Sequence, residues 1–321
     1  NNNCGNITSS YAVLNVTTSL EITEQPENST ICEGNNTSFY AEVTGNPIPT
    51  YRWQESNDNG NNWNNINNNT IYSGASTANL ILMNCPANYS GKLLRLCTGN
   101  GASTLYTNNS LLTVNTAPSI TNTFNELSLC ENTSATISSN VTGTQPITYQ
   151  WQKYNGSVWV NMPNENHSSL VLQNVTEDLN YSSYRLNVSN ICGSSTSNSF
   201  NLLIKNNPEI ITHPSNETIA AGETVCLISS ANGFNPISYQ WQYSTNYGSS
   251  WINVNNSSTF SGATSTRLCI NNTPLNFNNF RFKLLASNDC LNNVASNYSV
   301  LSVVQGLVVD AGSNVDICYG F

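Results

Sequence analysis

Ten cysteines carry the most reactive chemistry in this 321-residue chain. A thiolate can ligate a metal, attack a carbonyl or close a disulfide. The first two roles need partners that this sequence does not offer. No Cys-x-x-Cys pair occurs, and the two histidines, His167 and His213, lie far apart. Paired catalytic carboxylates, a nucleophile beside a base and a glycine-rich phosphate cradle are all unrecognisable as motifs. The expectation is no enzyme, no cofactor and no metal, with cysteines paired in an oxidising compartment. A second constellation is Ser56-x-Asp58-x-Gly60-x-x-Trp63, repeated as Ser244-x-Asn246-x-Gly248-x-Ser250-Trp251. There Gly supplies the positive φ of a turn, and Asp or Asn bonds the local backbone. Trp63, Trp159 and Trp251 are candidate ligand contacts that would stack on sugars. The alternative is a turn whose Trp seals a core. A calcium site at Asn57-Asp58-Asn59 is weaker, because hard cations want several carboxylates and one is on offer.

The elements that position these residues follow from one phrase, written three times. It reads Gly-x-x-Pro-Ile-x-Tyr-x-Trp-Gln at Gly143 to Gln152 and Gly233 to Gln242. The first copy, Gly45 to Gln54, moves its prolines to Pro47 and Pro49 but keeps Tyr51, Trp53 and Gln54. Trp53, Trp151 and Trp241 recur roughly every 95 residues, a period that suits tandem β-sandwiches. Within each repeat apolar residues alternate with period two, as in half-buried antiparallel strands. Phe39, Ala41 and Val43 point inward on one strand, Leu80 and Leu82 on another, and Leu112 and Val114 on the last. Pro26 and Pro214 sit in opening strands, where a sheet edge tolerates them. No amphipathic helix is legible.

The chain is acidic, with net charge −9 and only 9 Lys+Arg, which argues against nucleic-acid binding. Only 8% of residues are charged, so the surface is hydrated mainly by Asn, Ser and Thr. No apolar run is long enough to span a bilayer, so this segment inserts in no membrane directly. Sequons such as Asn6, Asn28, Asn88, Asn132, Asn140, Asn166, Asn216 and Asn297 make the chain a candidate glycoprotein, although an Asn-rich sequence yields many by chance.

The ends read as fragments of further repeats. Asn3-Cys4-Gly5 with Val13-Leu14-Asn15-Val16 matches Ile191-Cys192-Gly193 with Leu202-Leu203-Ile204. Ile317-Cys318-Tyr319-Gly320 matches Ile31-Cys32-Glu33-Gly34. The expected division is a terminal hairpin at 1–18, three complete domains at 19–115, 116–205 and 206–305, and the start of another at 306–321. Short Pro-containing joints, Val114 to Pro118 and Lys205 to Pro208, limit bending.

The Tyr-x-Trp-Gln phrase followed by a hairpin and a second Trp resembles the immunoglobulin-like repeats of Bacteroidetes-type surface and gliding adhesins, over essentially the whole chain. The Ser-x-Asp-x-Gly hairpin also resembles the Asp-box turn of many sugar-active proteins. The first resemblance implies a core Trp on strand C facing strands B and F. Phe39, Ile137 and Leu227, each fourteen positions before that Trp, are the B residues; Leu96, Leu186 and Leu284 are core residues of strand F. Where antibody domains place a B–F disulfide, these positions are apolar, so the cysteines must pair elsewhere. The resemblance also implies a secreted, surface-anchored protein.

Cys32, Cys130 and Cys318 open strand B, while Cys4, Cys192 and Cys290 lie in the F–G hairpin. Pairing within a domain meets a geometric objection. Cys130 is about 23 Å from mid-sandwich toward one end, and Cys192 about 20 Å toward the other. A disulfide tolerates at most about 7 Å between Cα atoms. Head-to-tail stacking permits Cys32–Cys192 and Cys130–Cys290 across domain junctions. Cys226 and Cys269 both face outward on neighbouring strands and form a candidate intradomain pair. Cys85 and Cys97 are left to each other, with Cys32–Cys85 as a rival and free buried thiols as a third option.

The combined expectation is an all-β chain of tandem immunoglobulin-like sandwiches, arranged head to tail as an elongated rod. Its role would be that of a non-catalytic structural or adhesive segment of an extracellular adhesin, stalk or filament. Its partners would be neighbouring domains of the same long chain, further copies in a filament, or surface glycans. Two alternatives stand beside it: a glycan-binding module using the hairpin tryptophans, and a self-assembling filament subunit joined by strand exchange.

Overall fold

The computed structural model describes residues 8–12 and 17–306. Cys4 and Cys318, most of the expected terminal hairpin at 1–18 and nearly all of the expected new domain at 306–321 lie outside the described residues. Among those described, every regular element is a strand apart from three single-turn 3-10 segments. The strands form two compact units. One runs up to Phe124 and adds Ser138–Leu170 and Tyr184–Ser199. The other comprises Asn125–Ile137, Val171–Ser183 and the chain from Phe200 on.

The first unit contains a complete sandwich. Strand β1 (Thr18–Glu24) pairs antiparallel with β4 (Glu42–Asn46). The chain then passes Pro26 and changes sheet. β2 (Ser29–Cys32) runs parallel to β11 (Ser110–Asn115), with Val114 opposite Ile31. Pro26 falls in the break between β1 and β2 rather than inside a strand, so its missing N–H costs no ladder bond. Pro214 occupies the matching break between Glu209–Thr212 and Glu217–Ala220. β3 (Thr37–Tyr40), β5 (Thr50–Ser56), β6 (Asn64–Asn65), β7 (Tyr72–Ser73), β8 (Asn79–Leu82), β9 (Leu93–Gly99) and β10 (Thr104–Tyr106) complete the layers. One sheet has the order β2-β11-β9-β5-β6, with β10 on β9; β3-β8-β7 form a second, and the β1–β4 pair stands as a third.

The pleat decides what is buried. On β9, Leu94, Leu96 and Thr98 point inward, while Arg95 and Cys97 point to the outer face. Trp53 is directly opposite Leu96. The same pair recurs as Trp151–Leu186 and Trp241–Leu284, and all six side chains are fully buried. Each Trp also donates its indole N–H to a backbone carbonyl: Thr77 O at 2.9 Å, His167 O at 3.1 Å and Ser265 O at 2.8 Å. A ring that large can be fully buried because its one polar atom is satisfied.

In this first unit the middle repeat contributes Thr148–Tyr154, paired with Ser183–Asn190 and Trp159–Asn161. In the second unit it contributes Leu127–Cys130, parallel to Phe200–Lys205. The second unit also holds the third sandwich, where Glu217–Ala220 runs parallel to Ser299–Val304. Its core gathers Leu227, Trp241, Leu268, Phe282, Leu284 and Leu301.

Gly143 and Gly233, which open the repeated phrase, are fixed by a close backbone approach. Both have strongly positive φ, 128° and 145°. A Cβ on Gly143 would come within 2.8 Å of Pro118 Cα, and one on Gly233 within 2.8 Å of Asn207 O. These glycines let the joint after one repeat lie against the next.

Candidate functional site

The joints are the most elaborately built places in the chain. Cys32, at the end of β2, is disulfide-bonded to Cys192 in the middle repeat, with Cα atoms 5.5 Å apart. Cys130 is bonded to Cys290 with the same Cα spacing, and both bridges span 160 positions. An asparagine two residues before the hairpin cysteine clips each joint. Asn190 Nδ2 donates to Thr116 O and Thr144 O, both at 2.8 Å, while its Oδ1 accepts from Cys192 N. Asn288 Nδ2 donates to Asn206 O at 2.8 Å and Phe234 O at 3.1 Å, and its Oδ1 accepts from Cys290 N. One side-chain amide thus satisfies carbonyls from the joint and from the turn of the repeated phrase. Lys205 adds an ion pair to Asp289 at 3.1 Å and lies over the Phe234 ring. Sequence reasoning missed these asparagines. The signal was Asn-x-Cys at 190–192 and 288–290.

Cys226 and Cys269 sit in register on paired strands and are bonded, with Cα atoms 4.0 Å apart. Cys85 and Cys97 are not. Both are free thiols, which corrects the expected Cys85–Cys97 disulfide. Cys85 is buried in the core of the first sandwich, where burial pushes its thiol pKa up. Cys97 is on the outward-facing side of β9, opposite Arg52 and Tyr106. The sheet itself separates them. The rival Cys32–Cys85 pair is also absent, since Cys32 is bonded to Cys192.

On the outer face of the larger sheets the hairpin tryptophans meet cations. Arg95 lies 4.0 Å from the Trp63 ring centre and 4.2 Å from that of Tyr106. Arg185 lies 4.4 Å from Trp159, and Lys283 lies 4.2 Å from Trp251. Burial under that ring pulls the Lys283 ammonium below the usual lysine range. The final Gln of the phrase orients this ladder. Gln54 Oε1 accepts from Arg95 Nε at 2.9 Å and Gln152 Oε1 from Arg185 Nε at 2.7 Å. Their Nε2 groups, with that of Gln242, donate to Asn65, Asn161 and Asn253. The tryptophans are therefore half-buried under cations. They neither fill the sandwich core nor stand as open platforms.

The carboxylate of the first hairpin is consumed by its own turn. Asp58 Oδ1 accepts from Ser56 Oγ at 2.7 Å and Asn62 N at 2.9 Å, and Oδ2 accepts from Asn62 Nδ2 at 2.6 Å. The Asn62 backbone bond comes first among the causes that hold its pKa down at about 2. In the third repeat Asn246 makes the equivalent bonds to Ser244 and Ser250 without a charge. No group of three metal-ligating side chains occurs among the described residues, and no helix there is long and apolar enough to cross a membrane.

Three titratable groups meet at one end of the first sandwich. Lys92 Nζ and Tyr72 Oη both reach Glu55 Oε2 at 2.6 Å. Burial, then the bond to Glu55, pushes the Tyr72 phenol far above its ordinary range. The three partners use one another, as a structural clamp would.

No protein-family model matches the chain, and no curated protein matches it. Solved structures do. The I-band fragment I67–I69 of titin aligns with 89% of this chain and 98% of its own length, at 17% identity and a TM-score of 0.55. The N-terminal eight Ig domains of Down Syndrome Cell Adhesion Molecule align with 89% of this chain and 36% of theirs, at 17% identity and a TM-score of 0.51. The fold is that of tandem immunoglobulin-like domains. At this identity the likeness is one of fold. The parallel pairing of β2 with β11 and the core Trp opposite its Leu are the local features that build it.

Proposed function

We propose that the chain is a non-catalytic, load-bearing segment of a large secreted cell-surface protein, an adhesin, stalk or filament of the Bacteroidetes type. Its domains in this reading are 19–115, 116–205 and 206–305, joined head to tail. The observation that carries the proposal is the pair of disulfides, each tying the first part of one repeat to the hairpin of the next but staying clear of either core. A bond placed there adds little to a single sandwich and a great deal to the connection between two. Disulfides of this kind persist in oxidising surroundings, which favours an extracellular location. The partners are neighbouring domains of the same chain.

A glycan-binding role for Trp63, Trp159 and Trp251 is less well supported, because a cation already covers one face of each ring. The test is location together with connectivity. Antibodies to the chain should label intact cells of the source. Peptide mapping of protein recovered from those surfaces should return Cys32 joined to Cys192 and Cys130 joined to Cys290. A reduced chain held inside the cell would overturn the proposal.

A further inference from the structure

The middle repeat differs from the outer two in the segment after its hairpin, and the difference leaves a groove. In each, the core Trp backbone exchanges two hydrogen bonds with the segment that follows the hairpin. Trp53 N donates to Ala75 O and its carbonyl accepts from Ile66 N, both at 2.9 Å. Trp241 bonds Ala263 and Val254 in the same way, and Trp151 bonds Glu165 and Met162. These bonds align the three repeats. Eight residues separate the two bonded positions in the outer repeats, 67–74 and 255–262; only Pro163 and Asn164 separate them in the middle repeat.

The longer excursion carries a short strand, Tyr72–Ser73 or Phe260–Ser261. Its aromatic packs on the residue two past the core Trp. Tyr72 Oη bonds Glu55, and the Phe260 ring stacks on Tyr243 with centroids 6.0 Å apart. The middle repeat has Lys153 at that position and, among the described residues, no counterpart of the strand. What it has is an open, mainly apolar groove of about 670 Å³, lined by Lys153, Tyr154, Val160, Met162, Pro163 and Glu165. Tyr154 is 39% exposed and Val160 is 46% exposed. In the outer repeats that short strand pairs with Asn79–Leu82 or Arg267–Ile270; the middle repeat's equivalent, Ser169–Leu172, has no strand on that side among the described residues.

We propose that this groove docks an extended polypeptide segment bearing one aromatic side chain, in the role that Tyr72 and Phe260 play in the outer repeats. The chain supplies its own description of the ligand, because Ile71-Tyr72-Ser73-Gly74-Ala75 and Thr259-Phe260-Ser261-Gly262-Ala263 are two versions of one motif. Lys153, whose ammonium lies 5.7 Å from the Tyr184 ring centre, borders the groove and can face a guest ring as well, and cation–π contacts of this kind favour an aromatic over an aliphatic guest. The free side of Ser169–Leu172, counterpart of the strand that Tyr72–Ser73 and Phe260–Ser261 pair with, offers main-chain hydrogen bonds, as in other cases where a peptide is added to a sheet. Val160 and Met162 supply apolar area to cover. The site is independent of the load-bearing proposal and stands or falls without it.

The experiment titrates a fluorescent synthetic peptide with the sequence of residues 66–75 into the full, oxidised chain and follows anisotropy. Saturable binding is expected, weakened about tenfold or more by Val160→Asp, a change at an exposed position that leaves the melting curve in place. Replacing the peptide's tyrosine by alanine should have a similar effect. Grafting residues 67–74 in place of Pro163–Asn164 should abolish binding by filling the groove from within. If the graft does not fold, the Val160 and peptide variants decide. Absence of saturable binding at millimolar peptide, indifference to both substitutions, or displacement of the peptide by oligosaccharide alone would overturn the proposal.

Discussion

Pulling the chain by handles at its two ends, first oxidised and then reduced, measures what the disulfides do under load. The longest extension is set by the shortest covalent route through the molecule. From Thr18 that route runs to Cys32, crosses to Cys192, follows the chain to Cys226, crosses to Cys269 and continues past Cys290 to Val304. It contains about 80 residues, or about 300 Å when fully drawn out, against about 1000 Å for the reduced chain. Substituting Cys32 and Cys192 by serine should move the limit to about 440 Å, because among the described residues Cys130–Cys290 then supplies the shortcut across the joints. Substituting Cys130 and Cys290 alone should leave it near 300 Å, since the shortest route does not use them. Force spectroscopy reads these lengths directly from the last extension before detachment. An oxidised chain that stretches to nearly the reduced length would refute the reasoning, as would equal limits for the two double variants.

Other measurements probe single sites. Asp58 is held at about 2 against an ordinary 3.8, so its contribution is complete above pH 4 and disappears as pH falls through about 2. Nuclear magnetic resonance of the Asn62 amide across that window should report loosening of the first hairpin, while the uncharged Asn246 hairpin is unmoved. Glu55→Gln leaves the half-buried Lys92 without its anion and should cost about 1–3 kcal/mol, read as a lower denaturant midpoint. Alkylation of the native chain should label Cys97 well before buried Cys85, as peptide mass spectrometry would show; recovery of the two in one disulfide-linked peptide would contradict the structure. Trp151→Ala removes a fully buried ring and should cost about 3–5 kcal/mol, measured by thermal melting.

Much of the fold was legible because its signals are periodic. The period-two alternation and the resemblance assign Leu96, Leu186 and Leu284 to the core, and the register pairs them with Trp53, Trp151 and Trp241. The joint disulfides followed from distances along a strand, a quantity the sequence carries. The Cys85–Cys97 pairing did not, because it rested on leftover count and not on facing. The pleat puts Cys97 outside and the loop after β8 puts Cys85 inside. The cation ladder was hidden for another reason. Gln54 and Arg95 come from β5 and β9 and Trp63 from the turn just before β6, and only the register aligns them. The groove could have been found. Trp53 and Trp241 stand 27 positions before Leu80 and Leu268, whereas Trp151 stands 19 before Leu170.

The two long bridges overlap: one encloses residues 33–191 and the other 131–289. A protease that cuts the backbone once anywhere between 33 and 289 therefore produces no separate fragment. The severed ends stay tethered through whichever bridge spans the wound, and losing the outer part of the molecule takes two cuts in suitable places or a reductant. A protein that must survive among digestive enzymes gains from such redundancy even when nothing is pulling on it.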